Sequence, residues 1–430
     1  MRRNRKISGR KGERGIVILL VAIFLLFVVG AMAVLAIDVV TFYTARSEAQ
    51  LAADGAALAG ARVMANSGST SNPTVLEAQA QALATTAASN VATQNKVGGR
   101  NLASPEVTVS FPPTAGLGYN PRVEVQVTRN DLPTFFARIW GRTQVTVSAS
   151  ATAEAYNPSG TSAFSVAGGR IAPVCAKPWL LPNLDPIGKV NQIFDPTANI
   201  VNSDLVGQSW PLEDNCDSCT GTLPAPIAGK YYPAAIDPGM TDPQEFPVPT
   251  QSLPACSAAF PANVYQLTVA GCVQKPISCG ANANFKIDIN PYTATTTDRN
   301  TDTVQAAKCL IHDKVTTGDS DSIDPTWTLG EPLQFLAGNA NPVTSAVGKK
   351  IMISESLVTV PVFNTSGPVT SPVQVIGFLQ LFLNPAGTPL AGTQIQATIV
   401  NMAGCGAAAN GQAVLGTGAS AIPVRLVAPQ

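Results

Sequence analysis

Residues 16–37 read IVILLVAIFLLFVVGAMAVLAI, and residues 45–65 read ARSEAQLAADGAALAGARVMA. The first stretch has no charged side chain in 22 positions. At about 1.5 Å of rise per residue it reaches about 33 Å as a helix, enough to cross a hydrocarbon core of about 30 Å. A transmembrane helix is therefore expected over 16–37, with Ile16, Leu20, Phe24, Phe27, Leu35 and Ile37 among its anchoring side chains. Before it stand Arg2, Arg3, Arg5, Lys6, Arg10, Lys11 and Arg14 against Glu13 alone, whereas Asp38, Arg46, Glu48, Asp54 and Arg62 behind it are mixed in sign. The positive-inside bias then puts tail 1–15 in the cytoplasm and everything after Asp38 outside. The competing reading is a signal peptide cut after Ala31-Met32-Ala33, but the apolar run continues through Val34, Leu35 and Ile37. That exceeds the roughly 15 residues of a usual h-region, so an uncleaved anchor is expected. Under either reading the bulk of the chain is exported.

The second stretch has its own period. Ala45, Ala49, Ala53, Ala57, Ala61 and Ala65 recur every fourth residue, with Ala52, Ala56 and Gly60 in a row beside them. Such a ridge of small side chains lets another backbone approach closely. That backbone belongs either to this chain's own sheet or to a neighbouring subunit, and the spacing does not choose. No proline interrupts 38–66, so the membrane helix should continue outward through it. After Asn72-Pro73 a second alanine-rich helix is expected over 74–96, stopped by Gly98-Gly99. Alternating segments at 107–111, 123–127 and 145–148 predict antiparallel strands, with a short helix from Pro133 to Gly141 between the last two.

Composition changes near Tyr156-Asn157-Pro158-Ser159-Gly160: six prolines lie before Tyr156 and twenty-eight after it. A boundary is expected there, dividing a helix-plus-sheet region at 38–156 from a domain at 161–430. Strand patterns in the second part lie at 264–269, 285–289, 357–363, 373–383 and 395–400. Ten prolines between Pro211 and Pro261 predict an irregular segment. All eight cysteines, Cys175, Cys216, Cys219, Cys256, Cys272, Cys279, Cys309 and Cys405, follow the span. Export and an even count favour disulfides, in a connectivity that spacing does not reveal.

Formal net charge is zero and 13% of residues are charged, so no positive field points to a nucleic-acid partner. His312 is the only histidine, and no Gly-x-Ser-x-Gly elbow occurs. Cys309 with His312 as a thiol pair, Cys216-x-x-Cys219 with Cys309-x-x-His312 as zinc ligands, and Asp319, Asp321 and Asp324 around Ca²⁺ are each outweighed by plainer readings. These are a surface histidine beside a disulfide, oxidised thiols and a solvated turn. No cofactor, metal or catalytic residue is expected.

One resemblance emerges from these residues. Glu13-Arg14-Gly15, Asp38, Tyr43, Arg46 and Gln50, and then Ala52-Ala53-Asp54-Gly55-Ala56-Ala57-Leu58-Ala59-Gly60-Ala61, are similar to the TadE/TadG-like proteins of tight-adherence (Flp) pilus assembly. Such proteins typically carry Ala where Gly55 stands. Pro133 to Gly141 followed by Val145-Thr146-Val147-Ser148-Ala149-Ser150-Ala151-Thr152-Ala153 resembles the strand that closes the shared region. The resemblance spans about residues 13–155. It implies a non-enzymatic bacterial protein of a pilus or secretion apparatus, single-pass in the inner membrane, with its bulk periplasmic or extracellular. Implied partners are membrane lipid and other envelope components of that apparatus, or further copies of the chain through the N-terminal helix. A prepilin peptidase would want glutamate where Leu20 follows Gly15 or Val17 follows Gly12, so processing is not expected. Asp319-Ser320-Asp321-Ser322-Ile323 lacks the Asp-x-Ser-x-Ser loop of the von Willebrand type A domain found in longer relatives.

The expected fold is α+β: a long transmembrane helix extending into a pilin-like helix with a small antiparallel sheet, then a mainly β, disulfide-stapled extracytoplasmic domain. The alternative function is an exported binding protein or hydrolase acting through that second domain.

Overall fold

The computed structural model describes residues 13–113, 120–157 and 171–427, apart from 189–190, 196–199, 217–218, 220, 240, 250–252, 254–259, 262, 274, 281–282, 291, 293–297, 315, 366, 406–413 and 416–421. One helix, α1 (Glu13–Asn66), carries both the apolar run and the alanine ridge without a break. A turn at 67–72 reverses the chain into α2 (Pro73–Gln94), where Leu76, Ala80, Ala84, Ala88 and Ala92 form a buried row of the same four-residue period. The second helix ends two residues before the expected Lys96. Lys96 and Val97 instead pair with Arg100 and Asn101 across Gly98-Gly99, whose φ angles of +55° and +89° suit a two-residue hairpin turn.

Both helices lie against an antiparallel sheet of β1 (Val107–Ser110), β2 (Arg122–Pro133) and β3 (Gln144–Ala155), in which Val125 faces Ala151 and Val127 faces Ala149. Alternation decides the faces: Val123, Val125 and Val127 are buried, while Glu124 and Gln126 point outward. Close approach is required at Gly60, where a Cβ would sit 2.8 Å from Val123 Cγ1 and 3.4 Å from the Ala84 carbonyl. The turn between β2 and β3 holds a single 3₁₀ segment, Ala137–Trp140, which stops at Gly141 in the left-handed region. It starts later than expected, because Pro133 still belongs to β2.

The remainder is built on six strands: β4 (Trp179–Pro182), β5 (Ser209–Asp214), β6 (Lys230–Pro233), β7 (Leu357–Phe363), β8 (Val373–Leu383) and β9 (Ile395–Gly404). Their pairing runs β7-β4-β6-β5-β9-β8, and β8 returns to β7, so the sheet closes on itself as a mixed barrel. Alternate residues Trp179 and Leu181, Trp210 and Leu212, and Val358, Val360 and Val362 meet in one core, as a closed sheet requires. Two of these six strands, β5 in most of its length and β6, come from the proline-rich segment read as irregular. Proline is tolerated in a strand wherever its own N–H is not needed, as at Pro211 opposite Gln396.

One further difference separates pattern from structure. Residues 264–269, read as a strand, lie in helix α3 (Val264–Ala270), because the Asn263 side chain caps it by accepting the Gln266 N–H at 2.9 Å. Another helix, α4 (Arg299–Leu310), is capped by Asp298 and packs on α3. A last strand, β10 (Val424–Val427), returns to the N-terminal sheet and pairs with β3, giving the order β10-β3-β2-β1.

Candidate functional site

Ile16, Leu20, Phe24, Phe27, Leu35 and Ile37 are all exposed, and the apolar run touches no other part of the described chain closely enough to be buried. The opposite holds for Ala45, Ala49, Ala53, Ala57, Ala61 and Ala65, all buried within this chain's own core together with Ala52 and Ala56. They pack on β2, β3 and α2, so that face of α1 is occupied inside the chain. A second copy would have to use another face.

The junction between the two halves of α1 is Asp38. Its side chain is buried, and its carboxylate accepts the backbone N–H groups of Phe135 (3.0 Å), Phe136 (3.1 Å) and Ala137 (2.8 Å). Those donors open the 3₁₀ turn at the tip of the β2–β3 hairpin, where helical N–H groups lack partners of their own. Burial pushes the Asp38 carboxyl upward, but the N–H groups of Ala137, Phe135 and Phe136 outweigh it and hold the group below its ordinary value of 3.8. A lowered pKa means that the clamp's stability is present above the unfolded value and lost as pH falls through the folded one. Asp38→Ala should therefore melt below the wild type at pH 6, with the gap narrowing as pH drops below about 4. A gap independent of pH would rule out the charged clamp. Further along α1, Glu48 accepts the Gly98 N–H at 2.6 Å, and Gln50 donates to the Ser150 carbonyl at 3.0 Å. The helix is thus tied to the 96–101 hairpin and to the sheet beyond the apolar run.

The far end of α1 meets the barrel through buried amides. Asn401 on β9 donates to the Ala65 carbonyl and to Gln380 Oε1 (3.0 Å), and accepts from the hydroxyls of Thr70 (2.9 Å) and Ser71 (3.2 Å). Asn157, from the expected boundary turn, is itself buried and donates to the Met402 carbonyl at 2.9 Å. Leucine at 401 fills a similar volume but cannot donate to the Ala65 carbonyl or to Gln380 Oε1, each loss costing about 1–3 kcal/mol, whereas Ser71 keeps the Met402 carbonyl at 3.2 Å. Asn401→Leu should lower unfolding stability by about 2–4 kcal/mol in a denaturant titration. A loss under about 0.5 kcal/mol would show that water satisfies the joint.

The cysteines form Cys175–Cys272, Cys216–Cys219 and Cys279–Cys405, and Cys309 is disulfide-bonded as well, while Cys256 lies outside the described residues. The four-ligand zinc arrangement is therefore consumed by oxidation. His312 faces Glu355 rather than a thiol, and that carboxylate raises the imidazole above its usual value. Asp321 accepts from the Gly338 N–H, Asn341 and Ser354, Asp324 accepts from Thr326, and Asp319 accepts the Thr316 N–H, so all three are spent on loop hydrogen bonds. Among the described residues no group of three or more His, Cys, Asp or Glu side chains is placed to hold a metal. Lys177 is buried beside this region, donates to the Gly271 carbonyl at 2.9 Å, and is pushed down to about 7 by burial, against a smaller opposing pull from Glu355.

An exposed apolar helix joined by a buried carboxylate to a small helix-on-sheet unit is thus the most distinctive arrangement in the chain. Residues 15–63 match the family described as Flp pilus-assembly TadE/G-like, and residues 47–153 match the one described as Tad-like Flp pilus-assembly. Residues 15–153 are thus similar to Tad-like pilus-assembly proteins. The Tad-like region ends within β3, so the match covers α1, α2 and the sheet but neither the barrel nor β10. No curated protein and no solved structure matches the chain. Asp38 was legible as a charged residue at the end of the span, but its partners lie nearly a hundred positions away and carry no side-chain signal. Nothing in the pattern marked Asn401 or the return of β10.

Proposed function

We propose that this chain is a single-pass envelope protein of a Tad/Flp-type pilus or secretion apparatus, with tail 1–15 in the cytoplasm and the barrel outside. Its role is structural, in assembly for surface attachment, and no enzymatic step is assigned to it. The observation that carries this reading is the Tad-like match over 15–153 coinciding with an exposed apolar helix end. The basic residues before the span and the disulfides behind it support the orientation. Residues 16–37 anchor, 38–156 hold the helix-plus-sheet unit, and 161–430 are the carried head, apart from β10, which returns to pair with β3. Its partners are membrane lipid and other components of the same apparatus.

The test is deletion of the gene in its own host, followed by imaging of surface fibres and an attachment assay. Fibres and attachment should be lost, and should return with the full chain but not with residues 38–430 exported behind a cleavable leader. Normal fibres after deletion, or rescue by the unanchored head, would overturn the reading.

A further inference from the structure

We propose that the tip of the β2–β3 hairpin is a second membrane contact, seated in the phospholipid headgroup layer beside the span, with Phe135 among the lipid and Arg138 and Arg142 at lipid phosphates. The proposal rests on the membrane reading given above.

Three observations carry it. The first is position: Asp38 binds the N–H groups of Phe135, Phe136 and Ala137, whereas Ser150 meets Gln50, about 18 Å further along the helix. The hairpin therefore runs along α1 with its tip toward the span. The second is depth. The exposed apolar face of α1 does not end at Ile37 but continues through Val39, Val40 and Tyr43, the last 77% exposed. The hydroxyls of Thr41 and Thr44 donate back to the Ile37 and Val40 carbonyls at 2.9 Å, which spares them a need for water. On that face the lipid boundary falls near Tyr43, about 7.5 Å beyond Asp38. A tip pinned to Asp38 is then level with headgroups, not above them.

The third is chemistry. Phe135 is 61% exposed at this level, beside exposed Arg138 and Arg142. Aromatic rings with long basic side chains suit the bilayer interface, where the ring meets acyl chains and the guanidinium reaches phosphate. The nearby carboxylates do not cancel those charges: Asp38 is held by backbone N–H groups and Asp131 by Arg100 and Arg129. Two attachment points fix the tilt of the head, which a single helix leaves free.

The full chain, in vesicles of phosphatidylcholine and phosphatidylglycerol, tests this by bromolipid quenching of a nitrobenzoxadiazole dye. No free cysteine occurs among the described residues, so an introduced one is addressable. The dye goes on Thr143→Cys at the tip, Ile23→Cys in the span or Leu329→Cys on the distal part, all exposed positions. The tip and span dyes should each lose about half their emission to bromolipid and the Leu329 dye almost none. Replacing Phe135, Arg138 and Arg142 together by Ser should cut quenching at the tip at least about twofold while leaving the span dye unchanged. Quenching at 23 without quenching at 143 overturns the proposal and leaves the anchor intact, as would a tip that contacts a protein partner. Absence of quenching at both positions overturns the anchor and the proposal together.

Discussion

Ala53→Glu is expected to unfold the helix-on-sheet unit. Ala53 is fully buried where α1 meets the sheet and α2, in the same core as Val123, Val125 and Ala151. A glutamate there adds volume to a packed contact, at about 1–3 kcal/mol, and either buries a charge or remains protonated at further cost. The sum, on the order of 5 kcal/mol, approaches the whole stability of an ordinary domain. Leu51→Glu is the control, because Leu51 lies two residues away and is 66% exposed. It should change stability by no more than about 0.5 kcal/mol. Thermal melts and limited proteolysis of the full chain in detergent compare the two. A melt for Ala53→Glu within a degree or two of the wild type would mean that the ridge is not the packed contact described here.

Arg299→Met is the second large effect. Arg299, on α4, is fully buried; it binds Asp214 at 3.1 Å, Asp288 at 3.0 Å and the Cys216 carbonyl at 3.1 Å. Its guanidinium lies 4.7 Å from the Tyr292 ring centroid. Asp214 is also fully buried and belongs to β5, so the pair ties α4 to the barrel. Methionine fills the space yet leaves the Asp214 carboxylate without its cation, at about 3–5 kcal/mol. Adding Asp214→Asn should recover part of the loss, since it removes the uncompensated charge and keeps an acceptor for the Cys216 N–H. Denaturant titrations of the single and double variants decide the matter: a double variant no more stable than the single would mean that packing, not charge, is what Arg299 supplies.

Much of the chain was readable because its signals are local. The span, the four-residue alanine period and the alternation at 357–363 and 373–383 each lie within one element, and the structure has helix or strand at each. The reading of 264–269 as a strand shows the limit. Val264, Thr268 and Val269 favour extended backbone, but the Asn263 cap and burial against α4 select a helix. Residues 299–310 raised no helix signal because their apolar positions are few, and the Asp298 cap is the one local cue. The pairings that close the barrel escaped for another reason. Val362 beside Leu181 and Glu213 beside Lys230 are parallel neighbours, and no turn motif announces such partners.

By itself, then, the sequence determined a cysteine-bearing chain with several strand patterns behind a membrane-length helix that runs on into an alanine ridge. These follow from hydropathy, period and composition, which are properties of short stretches. Only the tertiary structure decided what the ridge packs against, that Asp38 clamps a distant hairpin tip to the end of the apolar run, and that β10 and Asn401 bind the barrel back to the helix-plus-sheet unit. Those choices depend on burial and hydrogen-bond pairing between residues up to hundreds of positions apart, where a polar side chain acquires its meaning from the partner that reaches it.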